Sequence, residues 1–223
     1  MRKFQFEENH IYHIYNRGVD KRKVFLKNTD YLYFIHDLFE LNNIKKDPNN
    51  SRYFKNNQMM KMMKVRPSSL KRELLVEVLG FCLMPNHYHL ILKQKSEGGI
   101  SKFMQKVGTG HTMYFNKEYK RDGSLFQSKF KAIPVDSDPY LIHLLNYIHF
   151  NPLKLSGISS SNLEKYRWSS FPDYIGNKNF PSVTSRDFLL EFYGSEEKYK
   201  KEAGEWLKEK DKNTFSIQDI ILE

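Results

Sequence analysis

The sequence predicts an α+β fold of the ferredoxin-like, split βαβ kind: an antiparallel sheet with helices on one face, then a further helix and a C-terminal helical tail. Three observations carry this. Strand and helix signals run in the order strand, helix, strand, strand, helix, strand, helix. Only a Pro85-Asn86 turn separates the two middle strands, so they form a hairpin. After residue 180 the composition shifts to charged helix formers.

The elements follow in order. HIYHIYNR (10–17) is β-branched and aromatic and reads as a strand that Gly18-Val19-Asp20 ends. Asn28-Thr29-Asp30 is a helix-start signal, and Tyr31, Phe34, Ile35, Leu38, Phe39 and Leu41 then recur at helical spacing. Residues 47–73, rich in Lys, Asn and Met, read as an insertion. LLVEVLGFCL (74–83) and HYHLILKQ (87–94) form the hairpin, and Gly98-Gly99 closes it. Residues 100–119 form a helix with Ile100, Phe103, Met104, Val107, Met113 and Tyr114 inward. SKFKAIPVD (128–136) is a fourth strand, and Pro134 places it at a sheet edge. Asp138 as N-cap and Pro139 at the first helical position open the last core helix. It stops near Asn151, because Pro152 disfavours helix in the residue before it. A catalytic domain of residues 1–175 and a separable tail of 176–223 are expected. The tail's Phe188, Leu189, Phe192, Tyr193, Trp206 and Leu207 need cover somewhere.

Charge is distributed unevenly. The chain of 223 residues carries a formal net charge of +10. Residues 160–223 hold 10 Lys/Arg and 12 Asp/Glu, and residues 1–159 hold 26 and 14. A basic body with a near-neutral appendage suits a polyanion partner. The one cysteine, Cys82, excludes an internal disulfide and fits a reducing cytoplasm. MRKFQFEENH lacks a signal peptide's apolar stretch, and no window approaches the ~18 apolar residues of a membrane span. A soluble, cytoplasmic (nucleoid-associated) protein without a membrane partner is expected.

Residues two apart on a strand share a face, so His87 and His89 project together and suit one metal ion. Tyr147 and Asn151 are four apart and share a helix face. A phenol can attack phosphorus, and an amide oxygen suits Mg²⁺ or Mn²⁺. Paired strand histidines are also common without metal, and a tyrosine at helical spacing usually packs in a core. His10, His13, His36, His111, His143 and His149 take structural readings by default. Arg17, Lys102, Lys106, Lys117, Lys120, Arg121, Lys129 and Lys131 are candidates for phosphate contacts, and Tyr15, Phe126 and Phe130 for base stacking.

MPNHYHLIL (84–92), GSLFQSKFK (123–131) and NYIHFNP (146–152), in this order, resemble the HUH-type single-tyrosine transposases, with the REP-associated tyrosine transposases as the nearest branch. IYHIYNRG (11–18) resembles that branch's first strand, and YRWSSF (166–171) a segment after its catalytic helix. The resemblance covers roughly residues 8–175. It implies the ferredoxin-like sheet, Tyr147 as nucleophile, and His87, His89 and Asn151 as ligands of a divalent metal, Mg²⁺ or Mn²⁺. Asn151 stands where Gln is frequent elsewhere in the superfamily. The implied activity is metal-dependent cleavage and rejoining of single-stranded DNA through a 5′-phosphotyrosine link. The DNA would carry a hairpin or palindrome, and the protein would act as monomer or homodimer. Alternatives are a domesticated protein that processes REP palindromes and a catalytically inactive nucleic-acid-binding module. A phosphoesterase with paired histidine motifs needs two such motifs, and the sequence holds one.

Overall fold

A computed structural model describes residues 4–45 and 72–210. The sheet has four strands: β1 (Ile11–Arg17), β2 (Val76–Met84), β3 (His87–Gln94) and β4 (Lys131–Pro134). Their spatial order is β2-β3-β1-β4, and every pair is antiparallel. This is the split βαβ arrangement expected from element order. β4 lies at the edge, where Pro134 removes no ladder hydrogen bond that a central strand would need.

Helices α1 (Asn28–Glu40) and α2 (Gly99–Glu118) cover the sheet face that carries Tyr12, Ile14, Tyr88, Leu90 and Leu92. The Phe34 ring of α1 lies 5.1 Å from that of Tyr88. Asp30 caps α1: its carboxylate accepts from the backbone of Leu26 and Lys27 and from the hydroxyls of Tyr114 and Tyr119. Helix α3 (Asp138–Phe150) packs on β2 and β3 from the other side. The expectation of helices on one face thus holds for α1 and α2, while α3 covers part of the opposite face. Gly80 permits that approach, since a Cβ there would stand 3.0 Å from Leu145 Cδ1.

The structure moves three boundaries or positions. Ser137, not Asp138, is the N-cap of α3, with Asp138 and Pro139 in the first turn. The fourth strand is shorter than 128–136, because the Asn16 amide takes the carbonyls of Ser128 and Lys129 at 2.9 and 3.0 Å. Met113 is 68% exposed, and the buried position on that part of α2 is His111, whose Nε2–H donates to Val24 O at 2.9 Å. The insertion at 47–73, with its Met cluster, lies outside the described residues except for its last two.

Residues 168–170 extend the sheet beyond β2: Leu83 N–H donates to Trp168 O and Ser170 N–H to Phe81 O, each at 2.9 Å. Beyond the short helix α4 (Phe171–Tyr174), helices α5 (Asp187–Tyr193) and α6 (Glu196–Lys210) form the tail. The tail reads from sequence as separable, yet Leu189, Tyr193, Tyr199 and Ala203 belong to the same continuous core as the sheet. They pack behind α3. The Trp206 ring stacks on Phe150 at 5.2 Å, and Tyr199 Oη lies 2.6 Å from His149 Nδ1. Among the described residues no helix is long and apolar enough to cross a membrane.

Candidate active site

Strand alternation builds one wall of the site. β1 presents His13, Tyr15 and Arg17 on the face opposite Tyr12 and Ile14, and β3 presents His87 and His89 there. Register joins them: Tyr15 stands opposite His89, and Arg17 opposite His87. The His87 and His89 rings lie 5.0 Å apart, as residues two apart on a strand require.

Helix α3 supplies the other wall. The Tyr147 ring meets His89 edge to face at 5.5 Å. Asn151 follows the last residue of α3, still in helical conformation, so it shares the Tyr147 face one turn on. Asn151 is 2% exposed, and among the described residues neither atom of its amide has a hydrogen-bond partner. His89 Nε2 is likewise buried and unbonded. Three buried polar atoms of this kind carry a desolvation cost that a ligand would remove. A 3-10 turn over Asn151–Lys154 then brings the Lys154 ammonium 5.3 Å from the Tyr147 ring centre.

The electrostatics suit neutral nitrogen donors. Burial, then the neighbouring His13, His87 and Lys154 charges, pushes the His89 pKa well below its ordinary value. Burial alone lowers His13 to about 3. Both rings are therefore neutral near pH 7, the form that binds metal. Among the described residues no group of three His, Cys, Asp or Glu could hold a metal. The candidate set here is two imidazoles and an amide, which suits Mg²⁺ or Mn²⁺ with water completing the shell.

The structure thus joins His87, His89 and Tyr147 through ring contacts and sets Asn151 one helical turn past Tyr147. Of the candidate phosphate contacts, Arg17 and Lys131 lie on the same face, and Lys131 Nζ stands 5.7 Å over the half-buried Tyr15 ring. Lys129 is exposed just before β4. The others belong to α2 or its end, across the sheet. Lys102 Nζ donates to Glu97 O, Lys106 Nζ to Asn43 O, and Arg121 to the Asn116 side chain, while Lys117 and Lys120 are exposed. Phe126 is buried beside Tyr88, and Phe130 packs against Phe6, so both serve packing.

Two residues of the site do not stand out as chemistry in the sequence. His13 touches His89, with His13 Nε2 at 2.9 Å from His89 Nδ1. Its period-two spacing from Tyr15 and Arg17 was the available signal. Lys154 lies seven residues past Tyr147, two helical turns on, and that spacing was its signal.

A four-stranded antiparallel sheet carries two strand histidines beside a helix tyrosine, the arrangement that the motif resemblance implies. Residues 48–151 match the family model described as Transposase IS200 like, a span that ends on Asn151 and includes all four central side chains. The resemblance to IS200-like transposases read from the motifs is thereby shown. A solved structure of the REP-associated tyrosine transposase bound to a REP hairpin shares the fold: TM-score 0.51, 16% identity, 84% of this chain and 91% of that chain covered. No curated protein matches the chain.

Proposed function

We propose that this chain cleaves and rejoins single-stranded DNA, with Tyr147 as nucleophile. The observation that carries the reading is the contact of Tyr147 with His89, whose Nε2 is buried and unbonded among the described residues, with the equally unbonded Asn151 amide one helical turn on. The family match and the hairpin-bound structural neighbour support DNA with a hairpin as the substrate. His87, His89 and Asn151 would hold Mg²⁺ or Mn²⁺. That ion, when bound, polarises and orients the scissile phosphate.

The chain's own residues account for the rest. Tyr147 Oη loses its proton to solvent and attacks phosphorus. The P–O3′ bond breaks, the 3′ oxygen takes up a proton, and the 5′ phosphate stays on Tyr147. A 3′-hydroxyl from another end reverses the step, so the energy of the phosphodiester is conserved and no nucleotide is consumed. The Lys154 ammonium lies where it offsets charge developing on the phenolate and phosphate. Arg17, Lys129 and Lys131 offer phosphate contacts to the strand that reaches Tyr147.

The test uses a 3′-labelled single strand carrying a hairpin, with Mn²⁺, on a denaturing gel. Wild type is expected to give a slow covalent species. Tyr147→Phe should give none while keeping DNA binding, which rests on distributed charge. A normal adduct from the Phe variant removes Tyr147 from the role.

A further inference from the structure

His87 and His89 are held from behind by different groups. Asn86 Nδ2 donates to Lys21 O at 3.3 Å, which turns Asn86 Oδ1 toward His87 Nδ1, 2.7 Å away. An amide oxygen only accepts. His87 therefore carries its proton on Nδ1 and its lone pair on Nε2.

His89 has no amide behind it. Its Nδ1 faces His13 Nε2 at 2.9 Å, imidazole against imidazole, with ring centres 5.1 Å apart and both residues buried. One proton lies between the two nitrogens. Placed on His89 Nδ1, it leaves a lone pair on His89 Nε2. Placed on His13 Nε2, it forces an N–H at His89 Nε2, which repels a cation. Among the described residues neither His13 Nδ1 nor His89 Nε2 has a hydrogen-bond partner, so each arrangement buries one N–H without an acceptor. Protein hydrogen bonds alone do not choose between them. A cation at His89 Nε2 does.

We infer that His13 is a positioning residue: it accepts the His89 Nδ1 proton and so holds His89 in the tautomer whose Nε2 can face a divalent cation. The inference rests on the metal reading proposed above. Sheet geometry explains the pairing. Tyr15 stands opposite His89, so His13 is the diagonal neighbour on the same face, within reach of an imidazole. His13 acts through His89 and contacts no reacting atom. Groups in this position behind a metal histidine typically alter metal affinity by about 10–100-fold.

The experiment titrates Mn²⁺ into the full chain without DNA, by calorimetry, for wild type, His13→Gln, His13→Leu and His89→Ala. The Gln amide oxygen can accept the His89 proton, and Leu cannot. His13→Leu is expected to bind Mn²⁺ about 10–100-fold more weakly. His13→Gln should stay near wild type, and metal-free DNA binding should be the same for all. Nitrogen NMR of the wild-type imidazoles at saturating Mg²⁺ gives a second reading, with His89 Nδ1 protonated and Nε2 bare. His13→Leu binding as tightly as wild type while His89→Ala is weakened overturns the inference alone. A protonated His89 Nε2 in the Mg²⁺-saturated spectrum overturns the inference together with the ligand role of His89, and it decides the matter if His13→Leu does not fold. Unchanged affinity in His89→Ala overturns the metal reading itself.

Discussion

Tyr199→Phe tests whether the tail supports the helix that carries Tyr147. Tyr199 is fully buried on α6, and its hydroxyl lies 2.6 Å from Nδ1 of His149, two residues past Tyr147. His149 Nε2 lies 2.7 Å from Ser170 Oγ, which also accepts from Phe81 N and donates to Phe81 O. The directions are set by that last donation: the Ser170 hydroxyl is spent, so His149 Nε2–H donates to it, and Nδ1 accepts from Tyr199. Removing one oxygen leaves a buried nitrogen without its donor and changes volume little. The expected cost is about 1–3 kcal/mol. For a chain of this length each kcal/mol lowers Tm by about 2–4 °C. Urea unfolding followed by circular dichroism measures the loss, and adduct formation per folded molecule measures its effect on Tyr147. Cutting the chain after residue 179 removes Leu189, Tyr193, Tyr199 and Trp206 together, so it should cost far more stability than Tyr199→Phe and reduce adduct formation. A Tyr199→Phe midpoint unchanged to within about 0.5 kcal/mol, or a 1–179 chain as stable as the whole, would refute this reasoning.

Asp37 on α1 is buried, neither carboxylate oxygen is hydrogen-bonded among the described residues, the His36 imidazole stands 4.0 Å from Oδ1, and burial outweighs it to push the Asp37 pKa up to about 6. The protonated acid is the form the fold tolerates, so its contribution is fully present below the unfolded value of 3.8 and lost as pH rises through about 6. Asp37→Asn is therefore expected to stabilise the protein at pH 8, by about 3 kcal/mol at most, and to change little at pH 3.5, as urea midpoints at the two values would show. Lys154→Met keeps the aliphatic stem and removes the charge. Adduct formation should fall by about 10²-fold with DNA affinity nearly unchanged, and Lys154→Arg should recover part of it; equal rates in all three exclude the electrostatic role. Chelation with EDTA should abolish the adduct and leave a gel-shift complex intact, and adduct persisting after exhaustive chelation contradicts the metal reading.

Much of the fold was legible because local signals agreed with the global plan. HYHLILKQ is β3 at the expected residues, Pro134 marks the edge strand, and α3 ends before Pro152. The facing of α3 was not legible. An apolar stripe shows that a helix is covered, not which sheet face covers it, and LIHLLNYIHF is apolar on nearly every side. Met113 stands about 180° around α2 from Met104 at 100° per residue, on its outer side, while Phe115 two residues on is buried. The tail's apolar residues were visible in sequence, but the surface that accepts them, His149 and Phe150 on α3, exists only after folding. His13 was within reach: alternation puts it on the Tyr15 face, and the split βαβ order makes β1 the neighbour of β3. Combining the two would have paired it with His89.

The central claim is that Tyr147 becomes joined to a DNA 5′ end. Mass spectrometry of the adduct after nuclease and trypsin digestion tests this directly. The account predicts that the peptide containing Tyr147 carries a phosphate-linked nucleotide on that residue, and that no other tyrosine does. A nucleotide on a different residue, or cleaved DNA with no peptide attached, would contradict it.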